Sequence, residues 1–176
     1  MLRESFSLAC LSSVALVLAL PVPAHAQTSA SAPGNVPPVA TVNWVAAPLV
    51  IGRQERGARN LITLRGQVKD GWHVYALTQP ENGPTPLVVT LEANALAKAA
   101  GKPVGSQPTQ AFDRSFNLNL PYYERGFQVN LPLRLAAGLA PGRYSLPVSI
   151  RFQTCNGRTC EPPRTVHLTV PVEIGA

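Results

Sequence analysis

Two cysteines close together in the chain, Cys155 and Cys160, lie in the segment RFQTCNGRTCEPPR between Arg151 and Arg164. Thiols at this separation can bond to each other, exchange that bond with a partner thiol, or ligate a soft metal. Asn156-Gly157 between them is a favoured turn dipeptide, because both residues tolerate positive φ. The pair therefore belongs at the mouth of a hairpin-like loop, where a disulfide forms if the Cβ directions agree. Closing a loop of about 6 residues removes roughly 2 kcal/mol of unfolded-state entropy, less than a bridge between distant strands would remove. A short exposed loop is also where an attacking thiolate can reach a sulfur. On the residues alone, a structural staple and a redox pair both stay open.

Other chemistry finds little support. Two cysteines do not complete a tetrahedral zinc site, and His73 or His167 would have to finish it without any spacing signature. Copper(I) on the two thiolates is the softer metal alternative. No metal and no cofactor are expected. There is no Gly-rich phosphate loop, no Ser/His/Asp arrangement and no framed carboxylate pair; Asp70 and Glu81 flank turns, as solvated residues do.

The compartment follows from the first residues. Arg3, an apolar run from Phe6 to Leu20 and Ala24-His25-Ala26 before Gln27 read as a cleaved secretory signal over 1–26. Its apolar core is shorter than the about 20 residues a membrane span needs. Cys10 leaves with it; too little apolar sequence precedes Cys10, and Ser7 is a poor upstream residue, for lipid attachment. Residues 27–176 then face an oxidising compartment with one possible intramolecular cysteine pairing. No later segment is apolar enough to cross a membrane, so the exported chain is expected not to span one. The formal charge of +6 comes mostly from Arg scattered along the chain, which argues for solubility and against nucleic-acid recognition.

These cysteines need a frame to hold them. Residues 27–40 (QTSASAPGNVPPVA) form a flexible leader without hydrophobic periodicity. Residues 41–176 read as one all-β domain punctuated by turns. Phe127–Leu135, Tyr144–Phe152 and Val166–Ile174 alternate strictly between apolar and polar, the pattern of half-buried antiparallel strands. Weaker strands fall over Thr41–Ile51, Leu61–Val68, His73–Leu77 and Leu87–Leu91, and Ala93–Ala100 is the one plausible helical turn. Seven or so strands suit an immunoglobulin-like antiparallel β-sandwich. Pro132, Pro147 and Pro171 fall on the outward parity, which predicts edge or bulged strands there.

Three segments together resemble one family. Asp70-Gly71-Trp72-His73-Val74-Tyr75 with Gly83-Pro84-Thr85-Pro86 is similar to the early strands of the N-terminal periplasmic domain of DsbD, the thiol:disulfide interchange protein. Phe112-Asp113-Arg114-Ser115-Phe116, with Tyr122-Tyr123-Glu124 beyond, resembles that domain's cap region. Gln153-Thr154-Cys155 through Cys160-Glu161-Pro162-Pro163 resembles its active-site loop. The resemblance runs over roughly residues 41–174 and implies a thiol-disulfide oxidoreductase on an immunoglobulin-like sandwich. It implies Cys155 and Cys160 as the catalytic pair, Cys160 attacking and Cys155 resolving. It also implies Phe112, Asp113, Phe116 and Tyr123 as cap and partner-binding residues, with Phe112 or Phe116 as an aromatic lid over the sulfurs.

Partners implied are thioredoxin-like periplasmic proteins, such as disulfide isomerases and cytochrome c maturation factors. Reducing equivalents would come from a membrane-embedded donor, here expected to be a separate protein because this sequence carries neither a membrane domain nor a Cys-x-x-Cys domain. One departure is local. Best-studied members place five residues between the cysteines, whereas four stand between Cys155 and Cys160.

Overall fold

Alternating apolar residues can bury one face only by meeting a second sheet. A computed structural model describes residues 40–52 and 58–175 and shows how this chain does so. The expected signal over 1–26 and the leader through residue 39 lie outside the described residues. Strands are numbered in chain order. One sheet runs β1 (Val42–Ala46), β3 (Arg59–Val68), β10 (Gly126–Leu135) and β6 (Ala97–Ala99), with β7 (Val104–Gly105) also pairing along β10. A second runs β2 (Leu49–Ile51), β13 (Arg164–Ile174), β11 (Gly142–Phe152) and β5 (Val88–Leu91). Pairing is antiparallel except between β2 and β13, which run parallel. Together they make the immunoglobulin-like sandwich.

The core is the interdigitation of the two inner faces. Ile62, Leu64, Leu131 and Leu133 come from the first sheet, and Leu146, Val148, Ile150 and Val170 from the second, all essentially inaccessible. Each such side chain contributes about 1.5–3 kcal/mol when buried. Trp44 of β1 lies edge-on to Phe127 of its own sheet at 5.3 Å and to Phe152 of the opposite sheet at 5.6 Å. Gly66 of β3 makes room for this group: a Cβ there would stand 2.5 Å from Phe127 Cε1.

A third sheet was not legible from patterning. It runs β12 (Thr154–Cys155), β4 (His73–Tyr75), β9 (Leu118–Tyr123) and β8 (Thr109–Asp113). Its strands are too short for a two-residue period to stand out, yet they hold the cysteine loop. Among the described residues no helix is long and apolar enough to cross a membrane.

Three expectations change. The stretch Thr41–Ile51 breaks at Ala47-Pro48, so β1 joins the first sheet and β2 the second. Ala93–Ala100 is not helical: Asn94 Oδ1 accepts the N–H groups of Leu96 and Ala97, and the chain then enters β6. A side chain that satisfies the backbone locally competes with the helix. The prolines lie on internal strands, not edges. N–H and C=O of one strand residue point the same way, and Pro132 O accepts from Ala100 N. Its missing N–H therefore faces the side where β6 has ended and β7 has not begun. Pro147 O likewise accepts from Glu92 N, one residue beyond the end of β5. Pro171 stands one residue short of the β2 pairing.

Candidate redox site

The site begins with a hairpin. β11 ends at Phe152, and Thr154–Cys155 then pairs with Val74 and His73 of β4. Asn156 N donates to Thr159 O at 3.1 Å, and Asn156 Oδ1 accepts from Arg158 N and Thr159 N at 3.0 and 2.8 Å. Gly157 adopts φ +78°, a conformation that side-chain-bearing residues avoid. The turn returns Cys160 opposite Cys155 with their Cα atoms 4.1 Å apart, and the two are joined as a disulfide. Cys155 is wholly buried, whereas Cys160 is partly exposed.

Glu161 fixes the loop's exit. Its Oε2 accepts from Thr41 Oγ1 and Thr154 Oγ1, both at 3.2 Å, and pairs with Arg164. The two hydroxyls are also 3.1 Å apart. One carboxylate thus ties the approach to β1, strand β12 and the start of β13 to the residue beside Cys160.

Beneath the disulfide lies a small cluster separate from the main core. Tyr75, Leu120 and Cys155 are buried together, with Phe116, Leu118, Tyr122 and Cys160 packed against them. The Tyr75 hydroxyl is 3.9 Å from Cys160 Sγ and donates to Asp113 Oδ2 at 2.7 Å. Asp113 Oδ1 accepts from Ser115 N at 2.7 Å and Phe116 N at 3.3 Å, which folds the β8–β9 connection into a tight loop. That loop carries Phe116 to Tyr75, ring centroids 5.7 Å apart and nearly perpendicular. His73 completes the group: Nε2 is 3.4 Å from Asp113 Oδ2, and its ring packs on those of Tyr75 and Tyr122.

Burial and charge set the protonation states. Burial, seconded by the Asp113 carboxylate, pushes the Tyr75 phenol well above its ordinary value, so it stays a donor. For Asp113, burial alone would raise the carboxyl; the hydrogen bonds from Tyr75, Ser115 and Phe116 and the nearness of His73 bring it below its usual value. Asp113 is therefore a carboxylate at neutral pH. Burial holds His73 below the ordinary 6.5 despite the opposing pull of Asp113. Burial also raises Tyr122.

The expected cap residues separate on this geometry. Phe116 packs against the cluster that holds the cysteines, and Asp113 reaches them only through the Tyr75 hydroxyl. Phe112 is 58% exposed on β8, the outer strand of the third sheet. Tyr123 faces the other way, stacked on Phe127 at 4.4 Å in the sandwich core. Adjacent strand residues point to opposite faces, so Tyr122 is the one turned toward His73. His73 and Tyr75 were not singled out as site residues. The available signal was their i, i+2 spacing, which places both on one face of a strand.

The chain matches the family model of the thiol:disulfide interchange protein DsbD, N-terminal, over residues 46–171, a span that includes both cysteines together with His73, Tyr75 and Asp113. It belongs to that family. With its cysteines bonded, the domain is a thiol-disulfide interchange module whose partners are thiols and disulfides. Among solved structures, the reduced N-terminal domain of DsbD from Neisseria meningitidis is 18% identical, with a TM-score of 0.47, covering 67% of this chain and 82% of that one. The N-terminal periplasmic domain of ScsB from Proteus mirabilis is 17% identical at a TM-score of 0.44, covering 73% of this chain and 44% of that one. AggA, the major subunit of aggregative adherence fimbriae type I from Escherichia coli, is 11% identical at 0.39, covering 76% and 93%. No curated protein sequence matches the chain.

Proposed function

We propose that this protein is exported through residues 1–26 to the periplasm, where it passes reducing equivalents through Cys155 and Cys160 to oxidised thioredoxin-fold proteins. The observation that carries this reading is the asymmetry of the pair: Cys160 is partly exposed, and Cys155 is wholly buried in the cluster against which Phe116 packs. A membrane-embedded donor would supply the electrons, reducing the disulfide to two thiols.

In the forward step Cys160, as thiolate, attacks one sulfur of the partner's disulfide. A Cys160–partner bond forms, and the partner's other sulfur leaves as a thiolate and takes up a proton. Cys155 then loses its proton and attacks Cys160 Sγ. The mixed disulfide breaks, the Cys155–Cys160 bond is restored, and the partner departs with two thiols. Cys160 suits the attack because it can be reached, and Cys155 suits resolution because only an intramolecular sulfur meets it. Phe116 would act as the lid, since it packs against the cluster holding both sulfurs, while Phe112 points outward. Shielding matters because a reduced pair in an oxidising compartment would otherwise lose electrons to the wrong acceptors.

The test is the equilibrium potential of the pair in a graded dithiol buffer, together with mixed-disulfide trapping by Cys155→Ala. A potential in the range of thioredoxin-like proteins and a trapped thioredoxin-fold partner are expected. A bond that stays oxidised throughout and traps nothing would make the disulfide a structural staple.

A further inference from the structure

His73 is a buried polar group that the exchange steps leave unused. Its side chain is 13% exposed, and Nε2 makes no hydrogen bond, although buried ring nitrogens are ordinarily paired. That nitrogen stands 3.4 Å from the carboxylate oxygen that already accepts the Tyr75 hydroxyl, and the carboxylate attracts it. The groups form a continuous line: Cys160 Sγ to Tyr75 Oη at 3.9 Å, Tyr75 Oη to Asp113 Oδ2 at 2.7 Å, Asp113 Oδ2 to His73 Nε2 at 3.4 Å. His73 also lines a cleft of about 530 Å³ that opens beside the cysteine loop at Asn156 and Gly157. The line therefore runs from the partly exposed sulfur to an open cleft.

We propose that His73 is the positioning residue and proton store at the solvent end of this line, receiving the proton that Cys160 gives up when it becomes nucleophilic. The proposal rests on the exchange reading above. In the reduced protein the Cys160 thiol would donate to Tyr75 Oη, Tyr75 donates to Asp113, and Asp113 faces the bare nitrogen. Each hydrogen shifts by one bond: sulfur loses one, Tyr75 gains one and passes its own to Asp113, and Asp113 passes one to His73 Nε2. Thiol plus imidazole becomes thiolate plus imidazolium, with no net change at Tyr75 or Asp113. No oxidant or reductant enters this step.

Several features fit that role. Burial keeps the imidazole neutral at pH 7, so it can accept. The imidazolium, once formed, is stabilised by the carboxylates of Asp113 and Glu124. The remaining groups around it are Tyr75 on its own strand, Tyr122 on β9, and Cys155 opposite it in β12; Lys69, Asp70, Arg114 and Arg125 line the same cleft. The cleft then gives the proton a way out to water.

The experiment measures the rate at which the reduced protein attacks a small aromatic disulfide, from acid to alkaline pH, for the unsubstituted chain and for His73→Gln. A positioned base contributes about 10²-fold or more in favourable cases. His73→Gln is expected to slow the attack about tenfold near neutral pH, with the two profiles converging in alkali where hydroxide removes the proton directly, and with added imidazole restoring part of the loss. Superimposable profiles, or a loss equal at every pH, would overturn the proposal. A second readout needs no substitution. Proton–nitrogen NMR of the reduced protein should show Nε2 unprotonated and Nδ1 protonated at neutral pH, whereas an Nε2–H donating to Asp113 would make His73 a structural donor. A pair that dithiol never reduces sinks the exchange reading itself; one that exchanges normally without dependence on His73 sinks only this inference.

Discussion

Tyr75 and Asp113 are joined by a 2.7 Å hydrogen bond between strands β4 and β8, which do not pair with each other in the third sheet. The bond crosses over β9 and ties the start of the cap loop to the phenol beside Cys160. Among the hydrogen bonds described at Asp113, it is the one that leaves the β8–β9 loop; the other two, from Ser115 N and Phe116 N, stay within it.

Removing that hydroxyl should therefore cost more than an ordinary surface bond. Tyr75→Phe keeps the ring that meets Phe116 but leaves Asp113 Oδ2 buried without a donor. A charged acceptor so stranded costs about 1–3 kcal/mol. Urea unfolding of the oxidised protein should show a loss of that size, and carboxyl NMR should show Asp113 titrating at higher pH, because its largest lowering influence has gone. An unchanged Asp113 titration would mean that the backbone donors of Ser115 and Phe116 hold the carboxylate by themselves.

Glu161 offers a parallel test on the other side of the cysteine loop. Glu161→Ala frees Thr41, Thr154 and Arg164 at once. The site is partly exposed, so water replaces some of what is lost, and about 1–2 kcal/mol is the expected destabilisation. Amide hydrogen exchange should rise at position 161, whose N–H donates to Thr154 O and closes the loop. Protection that stays as it was would show the disulfide alone holds the loop shut.

What the sequence made legible follows from distance along the chain. Cys155, Asn156, Gly157 and Cys160 are neighbours, so their turn and their pairing could be read from local chemistry. β10, β11 and β13 are long enough for alternation to declare their buried faces. The third sheet is built from strands of two to six residues, where a period cannot be established. Tyr75 and Asp113 meet across 38 positions, and only the paired order β12-β4-β9-β8 brings them together. Tyr122 and Tyr123 show the same limit at one-residue scale: the choice of which faces the site depends on register, which neither residue type announces.

Gly66 tests the packing on which that register depends. Phe127 is held between the stacked ring of Tyr123 at 4.4 Å and the edge of Trp44 at 5.3 Å, so it cannot swing clear of a methyl group. A Cβ on Gly66 would press against it and come within 3.2 Å of Trp44. Gly66→Ala should destabilise the domain by about 1–3 kcal/mol, the usual cost of overpacking. The check is the urea midpoint, with tryptophan fluorescence reporting the displaced ring. A midpoint equal to that of the unsubstituted protein would mean the aromatic group has slack.

Acid should weaken the fold in two windows. His73 has its folded pKa below the ordinary 6.5, so the unfolded chain takes up that proton first as pH falls. The stability it contributes is present above about 6.5 and is lost as pH drops toward the folded value. Asp113 is also lowered, from 3.8, so its contribution is present above that value and disappears only in stronger acid. Urea midpoints of the oxidised protein should fall between about pH 7.5 and 5.5, and His73→Gln should flatten this first loss while leaving the second. A variant that loses stability as steeply as its parent would place the titrating group elsewhere.

Phe116 and Phe112 give the sharpest contrast, because they are four residues apart and differ in what they cover. Phe116 packs on Tyr75 and the cysteine cluster; Phe112 stands 58% exposed at the rim of the cleft. If Phe116 is the lid, Phe116→Ala removes a ring packed against the cysteine cluster and should let a small dithiol reduce the bond several-fold faster, since access governs the rate of attack. It should also lower stability by about 1–3 kcal/mol, as a half-buried aromatic truncation does. Phe112→Ala should leave both quantities near those of the parent, because an exposed ring shields nothing. Reduction followed by stopped-flow fluorescence distinguishes them. Equal acceleration by both substitutions would show that the whole loop, not one ring, closes the site; no acceleration by Phe116→Ala would mean the disulfide is already open, and the lid would have to be abandoned.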